Sequence, residues 1–321
     1  MGWIIAIGLG MVGTADAAPL NLKQVSADAK WIAHLDVDAM RDSVVVKKGY
    51  EHCKDQFKAI GEQLAEIRTA CQVFDPTTDL HGLTFYGTQY TQDAGVAIIH
   101  AKFSDSVLQF LREKVQQLPD FALSHHGDYE LFTWTHGKDS RHERSMTAAY
   151  VKPDLMIFGT SAAEVAAALD VLDGAKADLV GKTSPLAAEA PSGSLLVVRI
   201  AELSTVGLPI ESPLIKRTET LSLILGENNN EAFLTGILVA KTAKTATEVK
   251  EDIEKGLTAA LIATNDSDFA NFVNAVQVTS ANQTVTVDVR GPAEVGWFYL
   301  EKLASNVAIE GKKHINSDSK D

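Results

Sequence analysis

The sequence predicts an α+β fold: two diverged copies of one unit of mainly antiparallel sheet packed with helices, following a cleaved signal peptide. Three observations lead there. Short runs alternate apolar and polar residues, as half-buried strands do. Longer runs place apolar residues at steps of three and four, the mark of an amphipathic helix. The order of these runs then starts again near residue 194, with residue types matching in register.

Residues 1–17 place an apolar run before the small residues Ala15 and Ala17, the spacing read by a signal peptidase, so export with cleavage before Ala18 is expected. The same stretch holds Gly8, Gly10 and Gly13 in the pattern of a dinucleotide fingerprint. The helix that such a site requires would have to begin just before Pro19, which breaks it, and the signal reading is preferred. A first unit spans residues 18–174. Trp31, Ala33, Leu35 and Val37 alternate with Ile32, His34 and Asp36 as a strand. A long helix over 48–72 follows from the stripe Tyr50, Cys53, Phe57, Ile60, Leu64, Ile67 and Cys71. Strands are expected over 83–86, 96–101, 122–126, 129–135, 146–151 and 155–159, with helices after Ser104 and from Ala162 to Leu172.

Small residues with Pro185, Pro191 and Gly193 make 175–193 a linker. The second unit, 194–306, has strands at 195–200, 221–225, 233–240, 276–278 and 285–289. A helical stripe through Val249, Ile253, Leu257 and Leu261 lies among them, and Pro292 opens a last helix. Gly87 aligns with Gly226, Ala101 with Ala240, and Ala163 to Val165 with Ala293 to Val295, which is the basis for tandem duplication. Residues 204–218 differ most, because prolines replace the long helix. The polar tail, 307–321, has no apolar face and is expected to be disordered.

The formal charge is −13, and no basic stripe exists to neutralise phosphates, so nucleic acid is excluded as a partner. No run after the first 17 residues approaches the ~20 apolar residues of a membrane span. Cys53 and Cys71 would lie ~27 Å apart on one helix, too far for a disulfide, and are expected as two buried thiols.

His34, Asp36 and Asp38 alternate on the first strand and would point one imidazole and two carboxylates to one side, expected as a solvated sheet face and a candidate polar ligand or metal face. His125, His126 and Asp128, and the loop from His136 to His142, are rich in imidazole without helical ligand spacing. No catalytic residue, cofactor site or committed metal site emerges, and there is no nucleophile elbow, zinc-protease motif or P-loop.

The segment Ser26 to Asp38 resembles the opening of certain uncharacterised exported bacterial proteins, in which an Ala-Asp-Ala segment precedes a strand with alternating acidic positions. That resemblance implies export and a duplicated α+β unit, and it carries no activity. The expected function is a non-catalytic binding or assembly role, outside the cytoplasm in the periplasm or medium, toward a protein or envelope partner and with no cofactor. The alternative is a metal-dependent hydrolase of the cell envelope that uses His34, Asp36 and Asp38 or the region of His125.

Overall fold

The computed structural model describes residues 18–52, 74–91, 94–137, 143–152, 154–203, 213–265 and 267–298, with Glu62, Ala65, Arg68 and Thr69. The signal segment, both cysteines, the Gly8 to Gly13 fingerprint and the tail lie outside the described residues. So does most of the long helix. Val44–His52 is helical at its start, and the four isolated residues are helical further on.

The described chain is α+β, built on one antiparallel sheet. Its strands are β1 (Trp31–Asp36), β2 (Leu80–Gly87), β3 (Val96–Ala101), β4 (Ala122–His126), β5 (Tyr129–His136), β6 (Arg144–Lys152) and β7 (Leu155–Gly159) in the first half. The second half supplies β8 (Ser194–Ile200), β9 (Thr218–Asn228), β10 (Glu231–Ala240), β11 (Gln277–Ala281) and β12 (Thr284–Pro292). Their order across the sheet is β11-β12-β10-β9-β8-β1-β2-β3-β7-β6-β5-β4. From the centre outward each half runs through three consecutive strands, after which the first adds the four strands β7-β6-β5-β4 and the second the hairpin β12-β11. Helix precedes the added strands in both halves.

The helices with both ends described are α1 (Val37–Asp42), α2 (Val44–His52), α3 (Pro76–Asp79), α4 (Asp105–Val115), α5 (Ala162–Leu172), α6 (Pro213–Lys216), α7 (Ala243–Ala263) and α8 (Ser267–Ala275), and residues 293–298 after Pro292 are helical as well. Local chemistry starts them. Ser104, Ser161 and Thr242 sit in extended backbone and accept from the N–H three residues on, satisfying donors that the first turn leaves free. Asn229 and Asn230 both adopt positive φ, which closes the two-residue β9–β10 hairpin with a twist matching its strands.

Both faces of the first half are covered. Ile32, Ile98, Ala149 and Ile157 pack under α5 with Val25, Leu179 and Leu186. Leu35, Leu83, Ala101 and Met156 pack on the other side with Met40 of α1 and Val107 of α4. In the second half Ala246 and Val249 of α7 close on Leu238 and Val285, and α8 adds Phe272 and Val273 against Val289. The helix α8 has no counterpart in the sequence reading.

The segment 175–193 departs from the expected linker. Leu179 and Leu186 are fully buried, and Ser26 pairs with Asp178. Arg199, itself buried on β8, donates to the carbonyls of Leu186 and Ala188 and ties the segment to the sheet. The halves also interlock through α2: Glu227 on β9 accepts from the Ser43 hydroxyl at 2.6 Å and the Val45 N–H at 3.0 Å, and Val45 packs on Ala232 and Ala293.

Gly226 stands across the ladder from Phe233, whose ring lies over the glycine Cα. A Cβ there would come within 2.0 Å of Phe233 Cζ and 2.7 Å of the Gly193 carbonyl oxygen. Gly226→Ala is expected to cost about 1–3 kcal/mol by overpacking. Urea unfolding should show a lower midpoint at unchanged slope.

Candidate functional site

The three residues proposed from the first strand do not form a solvated face. His34, Asp36 and Asp38 are all buried, because the 18–25 segment and α1 cover that end of the sheet. The strand also ends sooner than its alternation implies: Asp36 is the N-cap of α1 and accepts from the Ala39 N–H at 2.9 Å, so Val37 and Asp38 belong to the helix.

Each side chain has its own structural task. His34 Nδ1 lies 2.9 Å from the Thr84 hydroxyl, across the β1–β2 pair. Asp38 pairs with Arg41 at 2.5 Å and with His81 at 3.0 Å. Arg41 also donates to the carbonyls of Thr77 and Leu80, fastening α1 to the entry of β2. Among the described residues no group of three or more His, Cys, Asp or Glu is arranged to hold a metal ion. The histidine-rich hairpin is likewise structural in its contacts: His126 on β4 meets Asp170 of α5 at 2.7 Å, while His125 is exposed. His142 lies outside the described residues.

A different feature has the form of a binding site. Between α4 and the strands β5, β6 and β7 the structure leaves a cavity of about 540 Å³, within the range of ligand pockets. The ladder explains its floor. Ala148 stands directly between Phe132 and Phe158, and Tyr150 stands beside Met156. Alternation puts these side chains and Trp134 on one face. The small Ala148 methyl between two large rings leaves a hollow in that floor. Leu108, Leu111 and Val115 of α4 form the roof at helical spacing.

The cavity's polar groups sit at its rim. Arg112 reaches from α4 to Glu130 on β5 and lies 5.6 Å above the centre of the Phe132 ring, a cation–π geometry. Asp105 and Gln109 occupy the same helix edge. Burial, with the charges of Asp105 and Asp154, pushes the Tyr150 phenol above its ordinary range, so it presents a neutral hydroxyl. The sequence reading found α4 and all three strands but not their joint cavity. The available signal was the run of aromatics on one face of β5 to β7, more than a solvated face needs.

The buried polar residues make a pH prediction. Burial lowers the His34 pKa to about 4, with His100 acting in the same direction, and burial also lowers His100. Below the ordinary histidine pKa of 6.5 the unfolded chain takes up protons that folded His34 refuses, so stability is full above that pH and is lost as pH falls toward 4. Asp36, raised by burial and by Asp38, acts with the opposite sign at the acid end of that window. His34 alone corresponds to a loss on the order of 3 kcal/mol. The urea midpoint should fall between pH 7 and pH 5, and His34→Gln should reduce that fall.

No family model matches the chain, and no curated protein matches it. Among solved structures it is similar to crystal form I of TP0453, at 11% identity and a TM-score of 0.46 over 91% of this chain and 99% of that one. Crystal form IV of TP0453 gives 11% identity and a TM-score of 0.47 over 91% and 97%.

Proposed function

We propose that this chain is an exported, non-catalytic binding protein that takes a small, largely uncharged apolar molecule into the cavity between α4 and the β5–β7 strands. The carrying observation is the hollow above Ala148, walled by Phe132, Trp134, Met156 and Phe158. The charge pattern favours an uncharged ligand. Arg112 is already matched by Glu130, and Asp105 disfavours an anion at the same edge.

Export is supported by the Ala15 and Ala17 spacing that precedes Ala18. No described helix is long and apolar enough to cross a membrane. Tandem duplication is supported at the sheet centre, where Trp31 pairs with Gly87 and Ser194 with Gly226, pairs related by offsets of 163 and 139; past a bulge after Ser194 the β8–β9 register is shifted by one residue from that of β1–β2. Among the described residues the first half carries seven strands and the second five, and the β4–β5 hairpin, which provides one wall of the cavity, belongs to the first.

Titration with the uncharged fluorophore N-phenyl-1-naphthylamine tests the binding reading, with energy transfer from Trp134 as the report of position. Saturable binding is expected, weakened about tenfold or more by Ala148→Phe, with the variant's circular dichroism unchanged. Absence of saturable binding, or equal affinity in a folded Ala148→Phe variant, would overturn it.

A further inference from the structure

The burial of Asp36 is more than a helix cap requires. A cap needs one acceptor, which Ser, Thr or Asn supplies without charge, whereas a buried carboxylate needs a cation or must neutralise. Arg41, the nearest guanidinium on α1, is engaged by Asp38. Burial raises the Asp36 pKa and the neighbouring Asp38 raises it further; opposing them are backbone N–H groups of Ala39, Ala18 and Asp38.

One of those donors is the residue expected to follow a cleaved signal. Ala18 lies across the β1–β2 pair, opposite Gly82. A Cβ on Gly82 would stand 3.0 Å from Ala18 Cβ and 3.2 Å from its carbonyl oxygen, so glycine is what permits the approach. Gly82 is the ladder partner of Asp36, so this approach sets the Ala18 backbone beside the Asp36 side chain, on the face of the sheet that also carries His34. His34 Nε2 is buried without a bonding partner. The chain that follows is anchored. Leu20 and Leu22 pack on the core, Val25 is fully buried, and Gln24 bonds His100 at 2.9 Å.

We infer that hydrolysis of the bond between Ala17 and Ala18 creates an α-amine that forms a buried ion pair with Asp36 and thereby completes the fold. In that step water, with a signal peptidase, gives its hydroxyl to the Ala17 carbonyl carbon and a proton to the Ala18 nitrogen. The released amine takes a second proton at neutral pH. The cation then appears on the nitrogen of a residue that already lies beside Asp36. Among the described residues no salt bridge reaches Asp36, and processing supplies this buried carboxylate with a counter-ion. The inference rests on the export reading given above, and it adds a structural role for the new terminus.

A thermodynamic cycle tests it. Four forms of the chain 18–321 are compared by urea unfolding at pH 7: free or acetylated Ala18, each with Asp36 or Asp36→Asn. Asn keeps the cap and removes the charge. Acetylation is expected to lower the folding constant about tenfold or more with Asp36 and less than about twofold with Asn, a coupling of the size seen for groups in one buried network. Equal effects of acetylation in the two backgrounds would overturn the ion pair. Separately, N-terminal sequencing of native protein is expected to start at Ala18; any other start would overturn the processing step and leave the measured pairing to stand or fall on its own cycle.

Discussion

The antiparallel pairing of β1 with β8 is the contact on which the rest of the molecule depends. It joins strands about 163 residues apart in sequence, so its closure entropy must be met by contacts made elsewhere. Those contacts surround it. Leu195, Val197 and Arg199 are buried on β8, Ile32 and His34 on β1, and the 175–193 segment lies over the junction. Because β1 and β8 are interior strands, each has its backbone groups paired on both sides, and neither half of the sheet ends where the two meet.

From this centre the halves diverge according to what covers them. In the second half α7 seats Ala246 and Val249 directly on the sheet, small residues that allow close approach. In the first half α4 seats only Val107 and its neighbours, and beyond them the sheet continues through β5 under larger side chains. A helix of eleven residues cannot cover so wide a face. The cavity is the remainder, held open by the rings of Phe132 and Phe158 and closed at its edge by Arg112.

Much of this fold was legible because antiparallel hairpins are local. Val96 to Ala101, Leu155 to Gly159 and Ala162 to Leu172 were readable to the residue, since alternation, turn residues and Ser161 mark their ends. Burial of the polar face of β1 was not legible. Alternation tells which side chains share a face, but what covers His34 and Asp36 comes from Ala18, α1 and β2, brought there by tertiary structure. The linker reading failed for a related reason: prolines and glycines at 175–193 announce irregular backbone, while Leu179 and Leu186 bury themselves regardless of it. The cavity joins α4 to strands that come later in the chain, so no single window of sequence contains it.

The closed centre also bears on how one molecule could add to another. An unpaired edge strand offers its backbone N–H and C=O groups to a second chain, and among the described strands only β11 and β4 stand at an edge. Ten strands separate them, so growth of the sheet by strand addition is confined to two remote ends, one in each half of the chain.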